Sequence, residues 1–258
     1  YHGTVDETLV ILDEEGQTVS RPGAIGPQVD PGATTLAVPF NDLDAMERAL
    51  ATGEVAGVLM EPALTNIGIV LPQPGYLEGV RRLTKQYGVI LILDETHTIC
   101  AGPQGASRLW GIDADMLVIG KTIGGGIPVA AYGMSSEVAV KVEALMHGHD
   151  LDVSGIGGTL SGSALAGAAI RATLTHALRQ EDFDIAIPLA TRWSTGVQAI
   201  IDQHGLPWTV QQLGCRAEYW FSEHPQNGAQ AAASVNDGLE SFMHLYALNR
   251  GIILTPFH

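Results

Sequence analysis

Two continuous apolar runs, with an amphipathic pattern between them, limit what this chain can fold into more than any other feature. Val55 to Met60 is apolar throughout and ends in Glu61-Pro62, and Val89-Ile90-Leu91-Ile92-Leu93 ends in Asp94-Glu95. Neither run alternates with polar residues, so each predicts a strand buried on both faces. Between them, Pro74 to Tyr87 places Leu77, Val80, Leu83 and Tyr87 on one helical face. Glu78, Arg81, Arg82 and Lys85 lie largely on the other, and Gly88 closes the helix. Strand, helix, strand is the unit of a parallel sheet with helices on both faces, an α/β architecture. Sheets of this kind collect their ligands at the carboxyl ends of the strands.

The pattern continues on either side. Tyr1 to Gly32 is rich in turn signals, Leu36 to Phe40 predicts a short strand, and Asp42 to Ala51 a short helix capped by Asn41 or Asp42. Met116 to Ile119 and Val129 to Met134 predict two more strands, followed by a helix from Ser135 to Met146 and a glycine- and histidine-rich loop from His147 to Gly158. Ser161 to Leu178 is a long alanine-rich helix, after which Glu181-Asp182 and Pro188 mark a change in composition. A domain boundary is expected near Gln180 to Asp184, dividing residues 1–182 from residues 183–258. The second part predicts a helix from Leu189 to His204, strands at Trp208 to Gln211 and Arg216 to Phe221, and a helix from Ala233 to Leu248, a small α+β unit.

Two strand ends carry complementary chemistry. Asp94 follows the Val89–Leu93 run, and Lys121 follows the run Met116-Leu117-Val118-Ile119-Gly120. The chain has three lysines, and the other two, Lys85 and Lys141, sit on helix-like stretches among polar neighbours. An ammonium beside Leu117, Val118, Ile119 and Ile123 is expected to be poorly solvated, which favours the free amine and Schiff-base chemistry. A pyridoxal phosphate enzyme needs both groups: the lysine holds the aldehyde, and the aspartate keeps the pyridine nitrogen protonated. A phosphate-loop reading of Gly120-Lys121-Thr122 fails because Asp115 stands where that motif needs its first glycine. A metal site built from His97, His147, His149, Asp94 and Glu95 is not expected, since His147 and His149 form a flexible His-Gly-His.

Four motifs, Glu61-Pro62-Ala63-Leu64-Thr65-Asn66-Ile67-Gly68, Asp94-Glu95-Thr96-His97-Thr98, Gly120-Lys121-Thr122 with the glycines that follow, and Gly158-Thr159-Leu160-Ser161-Gly162, together resemble the class III aminotransferases, in particular their glutamate-1-semialdehyde aminomutase-like branch. The order and spacing of these motifs agree over nearly the whole chain. The resemblance implies a fold-type I pyridoxal phosphate enzyme, with a large domain over residues 1–182 and a smaller C-terminal domain over 183–258. It also implies a homodimer with active sites at the interface. Lys121 would carry the cofactor and shuttle a proton, Asp94 would pair with the pyridine nitrogen, and Asn66 would reach the phenolic oxygen. Tyr1-His2-Gly3 resembles the family's Tyr-His-Gly, whose ring stacks on the pyridine, and Thr159 resembles the threonine that reaches the phosphate of the neighbouring subunit. Glu61 reads equally as a strand-end carboxylate or as the partner of an arginine that receives substrate carboxylates. Thr96 and His97 replace the Val and the Met or Gln of many relatives; Thr96 is expected beneath the ring, and His97 either at the phenolic oxygen or filling space.

Charge and composition exclude several classes of function. A net charge of −15, spread along the chain, argues against nucleic acid or an anionic membrane as partner. No apolar run approaches the roughly 20 residues needed to span a bilayer. Two cysteines, Cys100 and Cys215, are far apart in sequence and suggest neither a disulfide framework nor a metal knuckle, so the cytoplasm is expected. The chain starts at Tyr1 and stops at His258, and both ends are expected to be cut relative to the family. The activity expected is aminotransfer between an amino acid or amine and a keto acid or aldehyde. The alternatives are a 2,1-aminomutase and, from another class, a non-catalytic relic of the fold acting as a dimerisation or binding module.

Overall fold

In the computed structural model, residues 5–22, 31–146, 156–157 and 160–255 are described. A ribbon of β1 (Val10–Leu12) and β2 (Thr18–Ser20) precedes α1 (Leu43–Leu50), β3 (Gly57–Met60), α2 (Tyr76–Tyr87) and β4 (Ile90–Asp94). Then follow α3 (Gly105–Leu109), β5 (Met116–Gly120), β6 (Ala130–Met134), α4 (Ser136–Met146), α5 (Ala164–His176) and α6 (Gln180–Gln203). The hairpin β7 (Thr209–Leu213) and β8 (Arg216–Trp220) leads to α7 (Gly228–Ala233) and α8 (Asp237–Leu248).

The central sheet runs in the order β3-β4-β5-β6. Its first three strands are parallel, and β6 returns antiparallel beside β5. Register decides which residues share a face. Val58 lies beside Leu91 and Met60 beside Leu93, which in turn lies beside Leu117. This face packs on Leu77, Val80 and Leu83 of α2 and on Met46 and Leu50 of α1 in one apolar cluster. The opposite face carries Leu59, Ile92 and Met116, then Asp94 beside Val118. It is less covered: Leu59 is 40% exposed, so the expectation that Val55 to Met60 is buried on both faces fails within this chain. The physical reason is position, because β3 stands at the edge of the described sheet.

Local signals explain most boundaries. Asp42 caps α1 by accepting from the Ala45 N–H at 2.8 Å. Gly88 ends α2 in a left-handed turn with φ 68°, which glycine adopts without penalty. Leu36 to Phe40 forms no strand; Phe40 instead turns its ring edge-on to Tyr76, with centroids 4.9 Å apart. The helix predicted from Leu189 begins at Gln180, with Pro188 inside it. The Glu181-Asp182 pair is its first turn, where carboxylates suit the helix dipole, and Asp182 accepts from the Arg179 N–H at 3.1 Å. The helix predicted from Ala233 to Leu248 begins at Asp237, after the separate short helix α7, with Asn236 capping it by accepting from the Leu239 N–H at 3.0 Å.

One polar lock ties the helix layer to the sheet. Arg81 of α2 grips Asp115 through two hydrogen bonds of 2.7 and 2.9 Å, and Asp115 also accepts from the Leu91 N–H at 2.8 Å. The Arg81 guanidinium holds the Asp115 carboxyl below its usual range. A carboxylate whose folded value is depressed stabilises the fold above its unfolded titration range, and this contribution is lost as pH falls through the folded value. Asp115→Asn is therefore expected to cost about 2 kcal/mol at neutral pH and nothing below that acid range, read by denaturant unfolding at several pH values. No helix of the described residues is long and apolar enough to cross a membrane.

Candidate active site

The parallel strands β3, β4 and β5 deliver their carboxyl ends to one edge of the sheet, bringing Glu61, Asp94 and Lys121 to that edge. Asp94 is the last residue of β4, where its Oδ1 accepts from the Thr96 N–H at 3.0 Å and tightens the turn. Thr96 faces the end of β5: a Cβ added at Gly120 would meet its side chain at 3.7 Å. Glu95 points the other way, into the protein, and is 1% exposed. Its carboxylate accepts from Thr98 Oγ1 at 2.7 Å and from the N–H groups of Ala106 at 2.8 Å and Ser107 at 2.5 Å. Glu95 thus stitches α3 to the strand end and is structural, which its place beside Asp94 in the sequence does not reveal.

Lys121 opens a 3₁₀ turn, Lys121–Gly124, with φ 48°, in the left-handed region that residues other than glycine seldom adopt. The turn carries its side chain off the strand end, so Lys121 is exposed rather than enclosed by Leu117, Val118, Ile119 and Ile123. Its Nζ meets His97 Nε2 at 2.5 Å. The other ring nitrogen, Nδ1, lies 3.0 Å from Thr65 Oγ1, and Thr65 donates in turn to Glu61 Oε2. Burial first, then the charges of Lys121 and Arg216, push the His97 imidazole down to about 4, against the opposing pull of Asp94. At neutral pH the ring is uncharged.

The loop bearing Thr65 and Asn66 is closed by reciprocal backbone hydrogen bonds of 3.0 Å between Leu64 and Val70. Asn66 is exposed at its tip. The C-terminal hairpin braces this loop from behind, since Arg216 donates to the Thr65 carbonyl at 2.8 Å and Trp220 Nε1 to the Ile69 carbonyl at 3.2 Å. Trp220 also covers Gly68, leaving no space there for a side chain. Arg216 is paired with Glu218 and sits close enough to His97 to influence its charge. The hairpin thus brings Arg216 to the site from 151 positions downstream of Thr65.

Thr65 was not singled out in the sequence as a site residue, yet it connects Glu61 to His97. Tyr1, His2, Gly3 and Thr159 lie outside the described residues, as do His147 and His149. Among the described residues no three of His, Cys, Asp and Glu gather as a metal site would require. Cys100 and Cys215, distant in sequence, are neighbours in the fold, where the Cys215 N–H donates to the Cys100 carbonyl at 3.0 Å. Both are free thiols, and burial pushes Cys100 up to about 12, so it is no nucleophile at neutral pH.

Comparison with known proteins places this geometry in a family. The family described as Aminotransferase class-III matches residues 1–254. A curated relative, glutamate-1-semialdehyde 2,1-aminomutase 2 of Exiguobacterium sibiricum, is 35% identical over 260 residues, covering 99% of this chain and 58% of the relative. Among solved structures, a variant glutamate-1-semialdehyde-aminomutase from Pseudomonas aeruginosa in complex with PMP superposes with a TM-score of 0.94 at 44% identity. That match covers 100% of this chain and 58% of the neighbour. An omega-transaminase from Sphaerobacter thermophilus matches with a TM-score of 0.83 at 28% identity, covering 100% of this chain and 60% of the other. The chain thus spans a little under two thirds of the length of the relatives it matches. Its fold is that of fold-type I pyridoxal phosphate enzymes, α/β with a mixed, mostly parallel central sheet, and the chain belongs to the class III aminotransferase family.

Proposed function

We propose that the protein of which these residues form part is a pyridoxal phosphate-dependent aminotransferase that moves an amino group between an amino acid or amine and a keto acid or aldehyde. The observation that carries this reading is the pairing of an amine and a carboxylate at the carboxyl ends of adjacent strands, Lys121 after β5 and Asp94 at the end of β4, with an uncharged imidazole against the amine. The residues fit the cofactor's ring and aldehyde. A carboxylate suits a protonated pyridine nitrogen, and a lysine held at its Nζ suits a carbonyl carbon. Thr159, expected at the phosphate, lies outside the described residues.

Pyridoxal phosphate, when bound, supplies the electron-withdrawing ring that makes a substrate's α-proton removable. The chain's own part is to place groups around it. Lys121 presents its amine for covalent attachment and afterwards holds or returns a proton at Nζ. Asp94 supplies the negative charge that keeps a ring nitrogen protonated. Thr96, packed against Gly120, offers a methyl surface beneath a planar ring. Asn66, exposed on the braced loop, presents an amide donor to an oxygen at the ring's edge.

We also take residues 1–182 as the cofactor-binding domain, residues 183–258 as the start of the smaller one, and the working form as a cytoplasmic homodimer. A second reading, the 2,1-aminomutase, is favoured by the name of the Exiguobacterium relative. The two differ in their products. Full-length protein loaded with pyridoxal phosphate is expected to lose its visible absorbance on addition of an amino donor and to release one keto acid or aldehyde per site. Loss of absorbance without that co-product, and isomerisation of a single substrate, would instead favour the aminomutase.

A further inference from the structure

The hydrogen bonds behind Lys121 run in one direction, and that direction bears on what the lysine can do. Glu61, 9% exposed, presents a carboxylate oxygen, and the Thr65 hydroxyl, 0% exposed, donates its only proton there. The same oxygen lies 3.0 Å from His97 Nδ1 and, with its proton already given, meets the ring only as an acceptor. Nδ1 must therefore carry the imidazole hydrogen. The ring is half-buried beside two cations, Lys121 and Arg216, and faces Asp94 and, through Thr65, Glu61; the cations and burial outweigh the acids and keep it neutral. A neutral ring with hydrogen on Nδ1 has its lone pair on Nε2, the atom that meets Lys121 Nζ at 2.5 Å.

We infer that Glu61 and Thr65 are positioning residues that fix His97 as the tautomer whose Nε2 accepts a hydrogen bond from the Lys121 amine. The consequence concerns nucleophilicity. Once Lys121 has lost its proton its amine has one lone pair, and if Nε2 carried the hydrogen, the imidazole would donate to that lone pair and occupy it; burial, the first cause of the ring's neutrality, does not depend on the lysine's charge. With Nε2 as acceptor, Lys121 gives a hydrogen to the ring and its lone pair points elsewhere, available to a carbonyl carbon. His97 does not remove a proton from the lysine; it orients it. This role occupies one carboxylate oxygen of Glu61. It rests on Lys121 being the reacting amine, as proposed above.

The test uses the full-length protein labelled with 15N at histidine. In the cofactor-free form at neutral pH, the wild type is expected to show His97 as a neutral ring with hydrogen on Nδ1. Thr65→Val, of the same shape but without the hydroxyl, is expected to give a mixture of tautomers, and Thr65→Ser to restore the single one. In the loaded protein, Thr65→Val is expected to lower kcat roughly tenfold with KM for the amino donor changed less than about twofold, and Thr65→Ser to recover most of the rate. A wild-type ring protonated on Nε2 or on both nitrogens, or a Thr65→Val ring that keeps the single tautomer, would overturn the assignment. If the tautomers behave as stated while no cofactor binds, the assignment stands and the proposed enzyme activity falls.

Discussion

Lys121→Ala is expected to abolish covalent attachment of the cofactor and to slow amino transfer by on the order of 10⁴-fold or more, because on the proposed reading the substitution removes both the nucleophile and the group that carries the α-proton. The fold is expected to survive. Lys121 is exposed, and its contact with His97 is made at the rim of the site rather than in the apolar cluster between the sheet and α1 and α2. The melting temperature should move by no more than a few degrees, while the visible spectrum of the loaded protein should become that of free or loosely held cofactor. Its left-handed backbone adds a further expectation: Lys121→Gly should fold at least as well as the alanine variant, since glycine relieves the positive φ at that position. A variant that retained a tenth of wild-type activity would place the reacting amine elsewhere, at Lys85, Lys141 or a lysine beyond these residues.

Asp94→Asn is the second large effect. The amide preserves the size of the side chain and an oxygen to accept from the Thr96 N–H, so the turn after β4 should hold. What disappears is the negative charge. A buried or half-buried pyridine nitrogen without a counter-charge loses its proton, and the ring then withdraws electrons poorly. The expected loss is roughly 10²- to 10³-fold in kcat for the half-reaction with the amino donor, a cost comparable with removing a preorganised electrostatic partner elsewhere. His97 responds in the same experiment. Asp94 pulls its protonation upward, so the neutral ring should persist to still lower pH in the variant. Stopped-flow absorbance of the half-reaction, together with histidine NMR, reads both. Wild-type rates in Asp94→Asn would remove Asp94 from the ring nitrogen and leave it as a turn residue.

How much of this was legible before the fold was seen varies with the kind of signal. Strands β4 and β5 and helix α2 announce themselves because periodicity and continuous apolar runs are local properties, and Gly88 and Asp42 mark ends by backbone chemistry that needs no tertiary partner. The long helix α6 was misplaced for a local reason as well: Glu181-Asp182 and Pro188 read as a change in composition, whereas the two carboxylates form a first turn that suits the helix dipole and Pro188 is accommodated as the ninth residue, inside the helix. Lys121 and Asp94 stood out in the sequence because their chemistry is complementary and each ends a strand. Thr65 was not found, because its meaning depends on a partner 32 positions away and on a proton that only the folded arrangement assigns. The place of Arg216 beside it likewise depends on the fold, since the β7–β8 hairpin brings a residue 151 positions downstream onto the Thr65 carbonyl. The poor solvation expected for Lys121 failed for a geometric reason, in that a left-handed turn lifts the side chain away from the apolar strand that precedes it.

The most direct test of the central claim is reductive trapping. Full-length protein loaded with pyridoxal phosphate, treated with borohydride and cleaved into peptides for mass spectrometry, is predicted to carry the pyridoxyl group on Lys121. A label found on Lys85, on Lys141 or on a lysine outside these residues, with Lys121 unmodified, would contradict the account.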